Sequence, residues 1–357
     1  MICSTSRGAL FALLATSALC SCGPRATDVG NAWNRSSTMY ATHFAIYSSG
    51  EIRRLIVFGH GGFADTVADV QIISALERIA ILSTTHAAYV SALNATDRVV
   101  ACAHAAEVRD AALRGAIADG MVVDIGAADL VDREQLLALK PDAVLVYPFG
   151  GAAGTLDDLG LSVIQVSEYL EEHPLGRAEW IRFFGALLGK EREADSLFNG
   201  IVERYEEVRS AAPRDSLPVV LFGSVWQGQW WVPPGNSYMA RLIDDAGGSY
   251  LFSDRKGSGN IAIDMETMIA EGSRADVWGM ITALQGRVTS ASFTAGDPRV
   301  ASFHAVRDHR LFAGNSVDAD LFGRAMLEPE VVLRDLVGIL HPGLVQRPAF
   351  SYFKPLP

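Results

Sequence analysis

Residues 168–211 read EYLEEHPLGRAEWIRFFGALLGKEREADSLFNGIVERYEEVRSA, and this stretch decides the architecture. Pro174 suits the first turn of a helix, where its missing N–H costs nothing, and Glu171 and Glu172 just upstream complement a positive helix N-terminus. The run RAEWIRFFGALL continues to Gly189, a residue suited to closing a helix in the left-handed conformation. A second helix restarts in KEREAD. Its apolar residues Ala194, Leu197, Phe198, Ile201, Tyr205 and Val208 recur at spacings of three and four. They form one stripe on a rod of about 22 residues, roughly 33 Å long. Pro213 and Pro218 end it.

Strands and helices alternate on both sides of this rod. Upstream, RIAIL (78–82), RVVACA (98–103), AVLVY (143–147) and LSVIQV (161–166) read as buried strands, and AAYVSAL (87–93) and DREQLLALK (132–140) as helices. Short β-branched runs separated by helical periods indicate a parallel sheet. Downstream, PVVLFGSVW (218–226) opens a second lobe that runs to a last helix, PEVVLRDLVGIL (329–340). Asp132-Arg-Glu134 with Asp142 before a strand recurs as Asp264-Met-Glu266 with Asp276, so the two halves echo each other. FAIY and LIVF, between His43 and Phe58, predict a small antiparallel pair. The expected class is α/β: two Rossmann-like parallel-sheet lobes joined by a long rigid helix, with a ligand cleft between the lobes. The expected boundaries are a leader at 1–22, a linker at 23–40, lobes at 41–170 and 214–357, and the helical tract at 171–213.

The chain has 357 residues, of which 49% are hydrophobic and 20% charged. Disorder is excluded as the main state, and two sizeable cores can be built. Thirty Lys+Arg against 41 Asp+Glu give a net charge of −11, a poor balance for a nucleic-acid partner. Arg7 precedes an apolar run from Ala9 to Leu19 that is too short to span a bilayer and has the form of a secretory signal. Leu19-Cys20-Ser21-Cys22 resembles a bacterial lipobox, which implies lipid modification of Cys22. Three of the four cysteines lie in this leader and only Cys102 in the body, so no internal disulfide is expected. The expectation is an exported monomer, soluble in its body, tethered by lipid and facing the periplasm.

The order of leader, lobe, helical tract and lobe, with STTHAAYVSAL (83–93), LLALKPDAVLVY (136–147) and VPPGNSYMARLIDDAGG (232–248), resembles the helical-backbone, or class III, substrate-binding proteins of ABC importers. That family takes up ferric siderophores, haem and cobalamin. The resemblance covers roughly residues 75–342, and residues 30–70 read as an addition to the frame. It implies an ABC permease and its ATPase as partners, a small metal chelate as cargo, no catalysis and no cofactor. It further implies that one exposed glutamate per lobe, Glu134 and Glu266, docks on the permease. A first-turn glutamate also stabilises its own helix by a few tenths of a kcal/mol, and both roles are compatible.

Open parallel sheets bind ligands beyond the carboxyl ends of their strands, which selects the candidate contacts. Thr84, Thr85 and His86 follow the first strand, and His104 follows the second. Tyr147 and Phe149, then Tyr169, follow the next two, while Trp226, Trp230 and Trp231 cluster in the second lobe. Phe322 and Arg324 rank lower. The competing readings are helix capping for the threonines, structural roles for the histidines, and core packing for the aromatics.

Three rival functions have sequence support. LIVF followed by Gly59-His60-Gly61-Gly62 mimics a hydrolase oxyanion loop, but Gly235-Asn-Ser237-Tyr-Met239 fails as a nucleophile elbow. Gly150, Gly151 and Gly154 with Glu168 mimic a dinucleotide site without its spacing. A zinc or manganese receptor would draw on His86, His104, Glu168 and one second-lobe group. The aromatic load favours a larger cargo: an iron complex, either siderophore or haem, with a corrinoid as the alternative. Few Lys or Arg sit in the cleft loops, which disfavours a highly anionic ferric catecholate.

Overall fold

The structure, a computed structural model, describes residues 33–147, 156–215, 217–344 and 349–356. Strands β1 (Asn34–Ser36), β2 (Phe44–Ser49), β3 (Ile52–Phe58) and β4 (Thr66–Ile72) pair antiparallel in that order. The expected FAIY–LIVF pair is the centre of this larger sheet, with Phe44 opposite Val57 and Ile46 opposite Leu55. β1 and residues 39–40 fall in the stretch expected as linker. That boundary is corrected, because residues from Trp33 onward belong to one compact unit. The leader and Cys22 lie outside the described residues.

The first lobe runs β5 (Ile79–Ile81), α1 (Thr84–Ala92), β6 (Val99–Cys102), α2 (Ala111–Ala118), β7 (Val123–Asp124), α3 (Arg133–Leu139), β8 (Ala143–Val146) and β9 (Val163–Gln165). Its five strands are all parallel, in the order β7-β6-β5-β8-β9, so the order reverses at β5. Helices α4 (Pro174–Leu188) and α5 (Glu191–Ala211) follow. The second lobe contains β10 (Val219–Phe222), β11 (Ser224–Trp226), β12 (Gln229–Val232), α6 (Tyr238–Asp245), β13 (Ser249–Tyr250), β14 (Ile261–Ile263) and α7 (Met265–Gly272). It continues through β15 (Val277–Thr282), α8 (Ser290–Thr294), α9 (His304–Arg307), β16 (Leu311–Asn315), α10 (Pro329–Leu340) and β17 (Lys354–Pro355). Its main sheet has the order β13-β10-β15-β16-β17, parallel but for β17, and β11-β12-β14 form a separate antiparallel sheet. The internal echo is visible as two matched helix starts. Asp132 accepts from the Gln135 amide at 3.0 Å, and Asp264 from the Thr267 amide at 2.8 Å.

α4 is buried around nearly its whole circumference, so it needs cover on every side. Of its residues only Arg177 and Arg182 escape full burial. On one side Phe44 of β2 meets Trp180 at 4.9 Å and Phe183 at 5.8 Å between ring centroids. On another, Tyr89 of α1 stacks on Phe184 at 4.7 Å. Gly189, with φ +64°, closes the helix as its sequence predicts. Gly185 lets α5 fold back closely, since a Cβ there would lie 2.6 Å from that of Ala194.

Two buried carboxylates fasten the antiparallel sheet to α4. Glu179 accepts the amides of Met39, Tyr40 and Ala41, each at 2.8 Å. Glu171 accepts the amides of Thr42 and His43 at 2.9 Å and the Trp180 indole N–H at 3.0 Å. Glu171 therefore does not serve the α4 N-terminus, as its position suggested. That end is capped by His173, whose Nδ1 accepts from the Leu175 amide at 3.0 Å.

Two candidate contacts belong to the core instead. His86 has no exposed surface and packs 5.9 Å from the Phe184 ring. Burial pushes its imidazole down to about 3, with the Leu145 backbone opposing the shift. Trp230 is 1% exposed and lies 5.3 Å from Trp278. In both cases the element's periodicity points the side chain inward.

Replacing Glu179 by Gln puts an amide donor against three backbone donors. It should cost about 1–3 kcal/mol in urea unfolding and raise amide exchange in β2 and β3 while β5 and β8 stay protected. His86 gives a pH signature. Unfolded His86 takes a proton near its ordinary value of 6.5 and the folded side chain only near 3, so stability is present above 6.5 and lost as pH falls. His86→Leu removes this loss. Relative to wild type it should gain about 3 kcal/mol between pH 7 and pH 4, read from melting curves across that range.

Candidate functional site

The strand ends of the two lobes meet through three bridges. Arg109, in the loop after β6, donates to the carbonyls of Ser316 and Val317 beyond β16, at 2.5 and 2.9 Å. Asn236, just before α6, donates to Glu172. Arg177 of α4 donates to the Tyr169 carbonyl at 2.7 Å, and its guanidinium lies 3.7 Å above the Tyr238 ring of α6. A groove of about 830 Å3 runs between the lobes. Its walls are Thr84, Ala88 and Ser91 of α1, Arg109 and Asp110, Leu197, Ile201 and Arg204 of α5, and Asp320, Arg324 and Glu330 of the second lobe. Its cations are already engaged: Arg204 pairs with Glu330 at 2.6 Å and Arg324 with Glu328 at 2.7 Å.

An aromatic cluster stands at the ends of β8 and β9. Tyr147 and Tyr169 have ring centroids 4.9 Å apart. His60, from the loop between β3 and β4, lies edge-on to Tyr169 at 6.2 Å. Beneath them Glu168 is 2% exposed, with Oε2 making no hydrogen bond. Burial pushes its carboxyl up to about 7, against the opposing charge of Arg177. Burial and the Glu168 carboxylate in turn push the Tyr169 phenol up to about 12 and raise that of Tyr147. Both phenols are therefore neutral donors at ordinary pH.

The remaining candidates separate by environment. Thr84 faces the groove, while Thr85 donates its amide to Ser83, the residue that caps α1. His104 accepts from the Ala128 amide at 3.2 Å through Nε2, and its Nδ1 lies 3.6 Å from Glu107, so it braces its own lobe. His86, His104 and Glu168 thus do not form the ion-binding set considered from sequence. Trp226 is 61% exposed on the β11 side of a tight hairpin turn, and Trp231 is half-buried. Phe149 lies outside the described residues. Phe322 is exposed, and Arg324 lines the groove. Glu134 and Glu266 are both exposed, each in the first turn of a capped helix. Ser237, the serine of the failed elbow, caps α6 by accepting from the Ala240 amide at 3.2 Å. Sequence reasoning missed Arg109, Arg177 and His60. The last lies in Gly59-His60-Gly61-Gly62, which by sequence reads only as a hydrolase-like loop.

The sequence pattern of the periplasmic binding protein family matches residues 79–317. An uncharacterized lipoprotein of Methanocaldococcus jannaschii is 28% identical over 281 residues, covering 75% of this chain and 66% of that protein, just under two thirds of its length. A periplasmic heme binding protein from Pseudomonas aeruginosa superposes with a TM-score of 0.61 at 19% identity, covering 77% of this chain and 96% of that one. A protein of the Fe3+-hydroxamate transport system from Saccharomonospora viridis gives a TM-score of 0.58 at 18% identity, over 76% and 96% of the two chains. Two parallel-sheet lobes, the helical tract between them and the matched pattern make this chain a member of the periplasmic binding protein family.

Proposed function

We propose that the protein captures an iron complex, siderophore or haem, outside the cytoplasmic membrane and hands it unchanged to an ABC permease and its ATPase. The observation that carries this reading is the groove of about 830 Å3 walled by α1, α5 and the second lobe. Its volume suits a chelate. Arg109 and Arg177 are spent on carbonyls and on an aromatic face, which disfavours a cargo of high negative charge. The names of the similar proteins support the cargo class, one binding heme and another serving Fe3+-hydroxamate transport.

Anchoring is part of the proposal. No helix among the described residues is long and apolar enough to cross a membrane, and a lipid on Cys22 would hold the body at the surface. Glu134 and Glu266 are proposed as the contacts to the permease, one from each lobe.

Protein isolated from its native medium should carry a Soret band or a ferric charge-transfer band. A corrin spectrum would select the alternative cargo, and stoichiometric zinc or manganese without a chromophore would overturn the reading. Glu134→Ala with Glu266→Ala should abolish uptake into cells and leave cargo affinity, measured by fluorescence titration, within about twofold of wild type. Undiminished uptake would remove the docking role.

A further inference from the structure

The groove of about 830 Å3 is lined by five carboxyl-bearing side chains against three arginines. All three arginines are committed. Arg109 donates to the Ser316 and Val317 carbonyls, Arg324 pairs with Glu328 at 2.7 Å, and Arg204 pairs with Glu330 at 2.6 Å. Four of the carboxylates are occupied or wet. Asp110 accepts the Leu113 amide at 2.8 Å, Asp320 the Gly323 and Arg324 amides at 2.9 Å, and Glu328 the Tyr352 hydroxyl at 2.5 Å. Glu107 is exposed to water. Glu330 differs. It is 3% exposed, in the first turn of α10, and its Oε2 is buried without a hydrogen bond among the described residues. Ser91, on the α1 wall of the same groove, likewise has a buried hydroxyl without a partner.

An unpaired buried carboxylate oxygen forfeits its hydration with nothing in return, which marks it as a seat for a donor. Arg204 does not fill that seat, since it reaches Oε1 through Nε, and its side chain is 52% exposed and can turn outward. Nor do the acidic groups of the groove make a metal site: among the described residues no three His, Cys, Asp or Glu side chains come together to hold an ion. The donor that fits is organic.

We infer that Glu330 is a specificity-determining contact of the groove and receives a protonated amine carried by the cargo, so that the preferred ligand is a ferric chelate with a free ammonium group. The inference rests on the reading of the protein as an iron-complex receptor and names the kind of complex. A primary ammonium brings three N–H donors, and the Glu330 Oε2 and the Ser91 hydroxyl are acceptors that lack one. Its charge offsets the groove's excess of carboxylates, whereas a chelate bearing carboxylates of its own meets the same groups as repulsion. The contact is non-covalent, and the iron stays with its chelator.

The test uses the full chain with three probes: ferrioxamine B, a ferric trihydroxamate that ends in a primary amine; its N-acetyl derivative, which keeps the iron centre and loses the charge; and ferric haem. Affinities are read by tryptophan fluorescence titration. Wild type should bind the amine form about tenfold or more tightly than the acetylated form, the worth of one charge-assisted hydrogen bond. Glu330→Gln, which keeps the size of the side chain, should cut that ratio to about twofold or less and leave the acetylated form bound within about twofold of wild type. A purely structural role for Glu330, through its pair with Arg204, would weaken both chelates alike and overturn the inference. Equal binding of the two chelates by wild type, a comparison that needs no variant to fold, would also overturn it, as would binding of haem alone. Each of these outcomes leaves the receptor reading standing. If wild type binds none of the three probes, the receptor reading falls and this inference with it.

Discussion

The carboxylates of Glu171 and Glu179 take the amide hydrogens of residues 39–43 out of water and give each of them a charged acceptor. A buried carboxylate without partners would be among the costliest groups in the protein. Here each one is met by several donors, Glu179 by Arg182 as well at 2.9 Å, and charge-assisted bonds of this kind are the strong ones. Removing the segment would strand both charges in an apolar setting, so sheet and helix are mutually dependent. Because the sheet stays in place, α4 is buried along nearly its whole length and carries Trp180, Phe183 and Phe184 into the core. Because α4 is fixed, the turn that bears Glu168 and Tyr169 is fixed with it, through the bond from Arg177.

The two lobes are bolted to the helical tract by different helices. The first lobe holds α4: the Tyr89 hydroxyl donates to the Arg177 carbonyl at 2.8 Å, and Arg98 donates to the Leu188 carbonyl at 2.9 Å. The second lobe holds α5: the Tyr205 hydroxyl donates to Asp245 at 2.8 Å, and Arg204 pairs with Glu330. α4 and α5 are locked against each other at Gly185 and Ala194. A wide hinge motion would have to break buried bonds on both sides of that contact. Affinity in such a frame comes from a site formed before the ligand arrives, with smaller losses of conformational entropy on binding. The Arg109 and Asn236 bridges are few and lie at the rim, so small adjustments there stay accessible.

What the sequence disclosed and what it hid have the same physical origin. Strands such as AVLV and helix starts such as Asp132 and Asp264 are local, set by β-branching and by one side-chain oxygen, and these were legible. The extent of the first sheet was not, because its reason lies far away in the chain. RAEWIRFFGALL is buried on nearly every face, Glu179 included, and the layer that covers it comes from residues 39–58. Trp230 was legible in retrospect. In QWWV the alternation turns Trp230 and Val232 inward and Trp231 outward. His86 was decided by a cap: once Ser83 starts α1, the third helical position faces Phe184. Proximity to a strand end gave no information about direction in either case.

Electrostatics then set the character of the strand-end cluster. Desolvation holds Glu168 near 7, so close to neutral pH its carboxyl is shared between the protonated and charged forms. Burial first, and the Glu168 charge second, keep Tyr147 and Tyr169 from ionising. Arg177, the nearest cation, is committed to the Tyr169 carbonyl and the Tyr238 ring. The cluster is thus close to neutral, presenting aromatic faces and hydroxyl donors over a carboxyl that can accept or give a proton. Such a surface discriminates against a ligand that must bring several negative charges out of water, because nothing there repays their desolvation. On the proposed reading it favours one whose metal charge is largely cancelled by its own chelator. On that reading selectivity rests on the absence of free counter-charge at the described strand ends, and a frame shared across the fold can be retuned by changing the loops that border it.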